Sequence, residues 1–395
     1  MTTGLLEQEA AVEPPVAPDA LPRTMQAWVI REERHGAPHN AMQLEDVAVP
    51  EIGPDEVLVD VKAAGVNFNG AWVSRGKPVP LSRLKTGWDF HITGSDASGV
   101  VARVGSAVKN WKPGDEVIVH CNVSCGQCPL CNGFDPLACD EQRIWGYETN
   151  WGSFAPFAKV QARQLLPKPK QLTWEESASY ALCLFTAYRM LVTQARVQPG
   201  ENVLIWGAAG GLGVFAIQIC KLFGANPVCV VSSEDKEALC RQLGAEHIID
   251  RRKFDLSDFK GMRAFGGEIR RLTGGKDPDI VFEHVGKATF PTSVYVCRKF
   301  GRIVICGATS GYELDFDVRY LWLRQKSILG SHFANYYEAE KANQLVIDGR
   351  IKPVLWKTFP FAEVPAAQTL QEDGDHLGKI AVLVNASQPG LGRSL

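Results

Sequence analysis

The chain has 395 residues, enough for two domains of ordinary size, each with its own core. Apolar residues at 45% and charged residues at 22% describe a soluble globular protein, and a formal net charge of −2 gives no electrostatic case for nucleic acid or an acidic membrane surface. No apolar run is long enough to span a bilayer, and residues 1–23 lack a basic-then-apolar signal pattern, so the expected address is cytoplasmic. Five of the 11 cysteines fall in one short cluster and the others are scattered through apolar segments, which fits a metal site in a reducing compartment better than a disulfide framework.

Residues 1–24 carry four prolines and several acidic residues, too little to bury, and read as a disordered extension. Met25 to Ile30 and Glu56 to Ala63 then read as strands, with Pro50, Gly53 and Pro54 marking turns between them. Gly99 to Val104 and Glu116 to His120 follow, flanking the turn Lys112-Pro113-Gly114-Asp115. Residues 25–172 are therefore expected to form a compact, barrel-like β-rich domain. Within it, the lobe 121–140 holds Cys125, Cys128, Cys131 and Cys139, spaced C-x2-C-x2-C-x7-C. Four thiolates on a short loop can close a tetrahedral shell around Zn2+ and leave no open position for chemistry, so the metal would be structural. Reduced cysteines in an exposed loop are the alternative, and they leave the spacing unexplained. Cys121 lies outside the pattern and reads as a packed thiol.

The character changes near Thr173. Thr173-Trp174-Glu175-Glu176 is a capping box, and from there to about Gly330 helices alternate with mainly apolar strands at Asn202 to Trp206, Pro227 to Val231, His247 to Ile249, Asp279 to His284, Arg302 to Cys306 and Ser327 to Leu329. Residues 173–330 should thus form a Rossmann-type doubly wound parallel sheet covered by helices. At its centre, the apolar run Val203-Leu204-Ile205-Trp206 meets Gly207-Ala208-Ala209-Gly210-Gly211-Leu212-Gly213, and helical spacing follows through Phe215, Ile219 and Leu222. Glycines let backbone amides approach a pyrophosphate, and the helix dipole favours its charge; plain turn chemistry is the competing reading. At the end of the second strand stand Ser232, Ser233 and Lys236, with Arg241 further on, where an Asp or Glu would favour NAD; hydroxyls and an ammonium suit the 2′-phosphate of NADPH. Glu234 and Asp235 keep NADH open. Residues 331–395 return to a mixed pattern, with a helix through Glu338 to Ile347 and a strand at Ile380 to Val384. A nucleotide domain inserted into a β-rich domain puts the cleft at their junction, where Asn69, Glu148 and His332 could meet.

This order resembles the medium-chain dehydrogenase/reductase superfamily, whose zinc alcohol dehydrogenases carry a four-cysteine lobe and a second, catalytic zinc. Gly65-Val66-Asn67 and Gly94-Ser95-Asp96 put asparagine and serine where the first two catalytic ligands would be expected, which argues against that second zinc. The closer resemblance is to the crotonyl-CoA carboxylase/reductase family. It is carried by Gly65-Val66-Asn67-Phe68-Asn69, by Glu141-Gln142-Arg143-Ile144-Trp145-Gly146-Tyr147-Glu148-Thr149-Asn150, by Leu166-Pro167-Lys168-Pro169-Lys170, by Asp279-Ile280-Val281-Phe282-Glu283-His284, by Arg319-Tyr320-Leu321-Trp322 and by Gly330-Ser331-His332-Phe333-Ala334-Asn335-Tyr336. It runs from about residue 25 almost to the end. Tyr147 departs from the family's phenylalanine, the cysteine lobe is foreign to its members, and Trp72 to Phe90 is shorter than theirs.

The resemblance implies a GroES-like β-rich catalytic domain around the Rossmann fold, and a homo-oligomer, dimer or tetramer. It implies NADPH-dependent reduction of short-chain 2-enoyl-CoA thioesters, with CO2 captured by the enolate in many members. In carboxylating relatives the positions of Asn69, Tyr147, Glu148 and His332 line the CO2 site, that of His284 belongs to the nucleotide site, and those of Arg319 and Tyr320 contact the coenzyme A nucleotide. Bland roles stand beside these: Asn69 as a turn cap, Glu148 as a strand-end hydrogen-bond partner, Arg319 as a surface charge and Tyr320 as a packed ring. A non-carboxylating enoyl-CoA reductase, a quinone or enone reductase, and a nucleotide-binding protein without turnover are the alternative functions.

Overall fold

Two sheets of opposite character divide the chain, as a computed structural model describing residues 21–84 and 87–394 shows. The expected N-terminal extension lies outside these residues except for its last four, of which Thr24 already begins a strand. The first sheet is a mostly antiparallel body of seven strands. Its path runs Leu165–Pro167, Glu116–Val119, Ala97–Val104, Glu56–Gly65, Lys379–Leu383 and Leu355–Phe359, and Phe157–Gln161 pairs with Glu56–Gly65. A smaller sheet of Met42–Ala48, Thr24–Ile30 and His91–Ile92 lies beside it. Strands from both ends of the chain therefore share one sheet, and the alternating segment is inserted between them.

The inserted segment forms a six-stranded sheet in which every pairing is parallel. Its order is His247–Asp250, Asn226–Val231, Asn202–Ile205, Ile280–Glu283, Arg302–Ile305 and Ser327–Gly330. Counted within the segment this is 3-2-1-4-5-6, the doubly wound order that leaves a crevice where the winding reverses, between Asn202–Ile205 and Ile280–Glu283. The uniform apolarity of these strands has its cause here, because both faces are covered. Val203 and Ile205 pack into one core with Val214 and Phe215, whereas Leu204 faces the other with Val228, Val281 and Ile303. Full burial of each such side chain contributes roughly 1.5–3 kcal/mol.

The capping box at Thr173 forms as read: the Thr173 hydroxyl accepts from the Glu176 amide at 3.2 Å, and Glu176 Oε2 accepts from the Thr173 amide at 2.8 Å. The helix it starts, Trp174–Ala178, packs on the β-rich body, since a Cβ at Gly65 would lie 2.1 Å from the Ala178 carbonyl oxygen. Ala181–Tyr188 is the next helix, and it packs against Gly213–Leu222 of the parallel sheet. The two bodies are stitched directly, because the Gly378 amide donates to the Ala209 carbonyl at 2.7 Å and brings the strand Lys379–Leu383 up against the glycine-rich turn.

Candidate functional site

A cavity of about 880 Å³ opens where the sheets meet, lined by the ends of the parallel strands on one side and by residues 67–78, 144–148 and 332–333 on the other. Three of the four glycines of the turn have separate jobs. Gly207 adopts φ 56°, where a Cβ would press on the His284 ring at 3.0 Å. Gly210 lines the cavity, and only the Gly207 carbonyl lies within 4 Å of its absent Cβ. At Gly213 a Cβ would stand 2.4 Å from the Ala208 carbonyl oxygen, so the first helical turn can close on the strand only without a side chain. Turn, close approach and helix packing are the three needs of a pyrophosphate cradle. Gly211 and Leu212 join Gly210 in the wall, whereas Ala208 is fully buried behind it and donates to Val230.

At the second strand end Ser232 and Lys236 face the cavity, and Lys236 Nζ also donates to the Gly374 carbonyl at 2.9 Å. Ser233 is engaged otherwise: its hydroxyl caps the helix Glu234–Gln242, accepting from the Lys236 amide at 3.4 Å. Glu234 and Asp235 are exposed on that helix, and Arg241 pairs with Glu237 four residues earlier. The arginine that does reach the wall is Arg251, just past the next strand, which the sequence reading missed because it followed one strand end only. His284 lines the crevice and donates Nε2–H to the Trp206 carbonyl at 2.9 Å, with its pKa lowered by burial.

Asn69, Tyr147, Glu148 and His332 come from three separate segments, and all four line this cavity. Asn69 is the second residue of the short helix Phe68–Ser74 and is 7% exposed, with Nδ2 3.4 Å from Ser95 Oγ. The Tyr147 ring lies 6.3 Å from that of Trp72, and its hydroxyl donates to the Lys77 carbonyl at 3.2 Å. Glu148 Oε2 accepts from the Ile144 amide at 2.9 Å; burial raises its pKa above the usual value. His332 lines the cavity and is an exposed residue at its mouth. Enclosure by the walls, followed by the Arg189 charge, lowers its pKa. Beside it Phe333 holds φ 44°, a left-handed backbone that bulky residues rarely adopt. Arg319 and Tyr320 do not reach the wall. Arg319 pairs with Asp317 at 2.7 Å on the surface, and Tyr320 packs on Tyr295 and Phe259.

The sequence reading also missed a buried network beneath the glycine turn. Lys379 Nζ donates to Val66 O at 2.9 Å and to Asn67 Oδ1 at 2.5 Å, and lies 3.8 Å from Asp96 Oδ2, while Asn67 Nδ2 donates to the same Asp96 oxygen at 2.8 Å. Asp96 Oδ1 accepts from the Leu182 amide at 2.7 Å. Asn67 thus accepts from the ammonium directly, whereas the Asp96 oxygens accept from Asn67 Nδ2 and the Leu182 amide and face the ammonium as its counterion. The only signal in the sequence was a lone lysine opening an apolar strand.

The cysteine lobe stands apart from the cavity. The Sγ atoms of Cys125, Cys128, Cys131 and Cys139 lie within 4.8 Å of one another, and those of Cys125 and Cys131 are 3.8 Å apart. Tetrahedral Zn–S bonds of about 2.3 Å place sulfurs about 3.8 Å apart, so the donors fit zinc. Amides of Gly126 and Cys131 donate to two of the sulfurs, and those of Gln127 and Cys128 hold the Cys125 thiol down to about 6. Cys121 is buried nearby as a neutral thiol, its pKa raised by burial. Among the described residues no helix is long and apolar enough to cross a membrane.

Two family profiles match the chain: "Alcohol dehydrogenase GroES-like domain" over residues 53–170 and "Zinc-binding dehydrogenase" over residues 211–348. A crotonyl-CoA carboxylase/reductase of Cereibacter sphaeroides is 50% identical over 389 residues, covering 94% of this chain and 90% of its own. A crotonyl-CoA reductase of Streptomyces collinus is 48% identical, covering 91% and 86%. Among solved structures, a crotonyl-CoA carboxylase/reductase superposes with a TM-score of 0.89 at 51% identity, over 95% of this chain and 91% of that one. The 2-octenoyl-CoA carboxylase reductase CinF, in complex with NADP and 2-octenoyl-CoA, superposes with a TM-score of 0.91 at 41% identity, again over 95% and 91%.

Proposed function

Because the chain belongs to the crotonyl-CoA carboxylase/reductase family, within the medium-chain dehydrogenase/reductases, we propose that it reduces short-chain 2-enoyl-CoA thioesters with NADPH and adds CO2 at the α-carbon. The observation that carries this is the convergence of Asn69, Tyr147, Glu148 and His332 on the one cavity that the glycine turn, Ser232 and Lys236 also line. NADPH fits the cradle and, when bound, supplies the hydride. Hydride addition at the β-carbon breaks the carbon–carbon double bond and leaves negative charge shared by the α-carbon and the thioester oxygen. Attack of the α-carbon on CO2 forms the new bond and gives an alkylmalonyl-CoA, whereas a proton at the same atom gives the saturated ester. Asn69 Nδ2 donates to one CO2 oxygen, and His332 reaches the other directly or through a water oriented by Glu148. Phe68, Trp72 and Phe333 line the same walls and keep mobile water from the enolate.

Product mass after turnover with bicarbonate and carbonic anhydrase tests the reading. Asn69→Ala and His332→Asn are expected to lower carboxylated product about tenfold or more while NADPH oxidation falls less, since each acts after hydride transfer. Equal losses would make these side chains substrate holders. Turnover of a quinone but of no enoyl-CoA, or a larger kcat/KM with NADH, would replace the reading. In the same assay Arg319→Ala is expected to raise KM for the CoA ester, with Arg319 and Tyr320 receiving the coenzyme A nucleotide at the surface; an unchanged KM removes them.

The four-cysteine lobe is proposed to hold one structural Zn2+ per chain. One equivalent is expected on elemental analysis, with Cys128→Ser losing it and unfolding at lower temperature while keeping nucleotide affinity; a zinc content near zero after careful handling ends the proposal. None of the 11 cysteines is joined in a disulfide, which supports a cytoplasmic address, and a disulfide found in the native protein would oppose it. A homo-oligomer is proposed through the outer edge of the parallel sheet, where Ser327–Gly330 exposes Ile328 beside the exposed Val318, Trp322 and Leu323. Sedimentation at the mass of a single chain would remove it.

A further inference from the structure

We propose that Arg189 is a positioning residue for the carboxylation step, clamping the cysteine lobe to the segment that carries His332. The inference rests on the functional reading above. Arg189 opens a π-helical stretch, Arg189–Gln194, that continues the helix Ala181–Tyr188, and such local widenings recur where a side chain must be aimed. Its guanidinium is buried and forked. Nη1 donates to both oxygens of Glu338 at 3.0 and 2.9 Å, and Nη2 donates to Asp135 Oδ2 at 2.8 Å. Asp135 sits between the third and fourth cysteines of the lobe. Its other oxygen accepts from Asn335 Nδ2 at 3.3 Å, and Asn335 with Glu338 forms the capping box that starts the helix Tyr336–Ile347. One planar cation therefore joins the cysteine lobe to Glu338, six places after His332, and Asp135 in turn holds Asn335, three places after it.

A second tether runs alongside. His120, on the chain just before the lobe, donates Nε2–H to the Ala334 carbonyl at 2.9 Å. Between these two holds and His332 lies Phe333 in its left-handed conformation, which persists only when its surroundings over-determine it. A buried ion pair is a poor device for stability, because its desolvation offsets most of the attraction, but a planar guanidinium held between two carboxylates fixes geometry well. The Arg189 charge also disfavours a proton on His332, which leaves the imidazole neutral and able to donate or accept through its tautomers.

The test compares Arg189→Lys with the neutralised variant Arg189→Met/Asp135→Asn/Glu338→Gln, which leaves neither carboxylate of the cluster unpaired. In the triple variant, amide exchange across residues 331–340 is expected to quicken about tenfold and the carboxylated fraction to fall about tenfold, with NADPH oxidation within about threefold of the parent. Arg189→Lys, which keeps the charge but not the fork, should fall between. Unchanged exchange across 331–340, or equal losses of carboxylated product and NADPH oxidation, overturns the proposal. If the parent protein itself never carboxylates an enoyl-CoA, the functional reading fails, and the exchange measurement still decides the clamp.

Discussion

Lys379→Met is expected to destabilise the folded chain by about 3–5 kcal/mol and to abolish most nucleotide-dependent turnover. Lys379 is 1% exposed and is the cation facing Asp96, which is fully buried with its carboxylate between Asn67, the Leu182 amide and the ammonium. Removing the ammonium leaves a buried charge with hydrogen bonds but no counterion. The damage reaches the nucleotide as well, since a Cβ at Gly211 would meet Lys379 Cδ at 3.0 Å, which places the lysine stem directly beneath the turn. The pH dependence has a defined sign. Burial already raises the Asp96 pKa above the ordinary carboxylate value, and loss of Lys379 removes a group that lowers it. A carboxyl whose folded pKa is raised contributes stability that is complete below its unfolded pKa, about 3.9, and is lost as pH rises through the folded value. The deficit of the variant should therefore be smaller at pH 5 than at pH 8, and Lys379→Met/Asp96→Asn should recover most of it. Denaturant midpoints at the two pH values check this, and a deficit independent of pH would mean that lost packing, not a stranded charge, is the cause.

The parts of this fold that could be read from the residues were those whose cause is local. The parallel strands announce themselves because both faces of each are covered, so Val203, Leu204 and Ile205 are all apolar. The capping box at Thr173 is likewise a matter of four neighbouring residues. Its helix, however, packs on the β-rich body, and nothing within Trp174–Ala178 says which body it will meet. The candidate site divides in the same way. The inserted domain order suggested only that Asn69, Glu148 and His332 could meet at the junction; their roles, and Tyr147 with them, came from segment resemblance, since no spacing within the chain relates segments so far apart. Lys379 carries no local pattern that names its partners, because Val66 and Asn67 come from a distant segment, and Arg251 belongs to the site only because the fold brings its strand end to the cavity wall. Ser233 shows the converse, for a residue well placed by sequence beside the nucleotide is engaged instead as a helix cap.

Gly213→Val should weaken NADPH binding by about a hundredfold or more. The absent Cβ of Gly213 would lie 2.4 Å from the carbonyl oxygen of Ala208 and 2.5 Å from its carbonyl carbon and Cα. All three are backbone atoms of the turn, so no side chain can swing away. Either the helix Gly213–Leu222 lifts off the strand Asn202–Ile205, or the turn opens and its amides leave the phosphates. The first route is resisted by Val214 and Phe215, both fully buried in the core on that face, which leaves the turn as the part that gives. Affinity should therefore fall further than stability. Gly267, in the middle of the helix Phe259–Leu272 with nothing within 4 Å of its absent Cβ, supplies the contrast. Gly267→Ala should leave NADPH affinity unchanged and stabilise the fold by up to about 1 kcal/mol. Fluorescence titration with NADPH, run beside thermal unfolding of both variants, separates the cases. Wild-type affinity in Gly213→Val would show that the phosphates are held by something other than this turn.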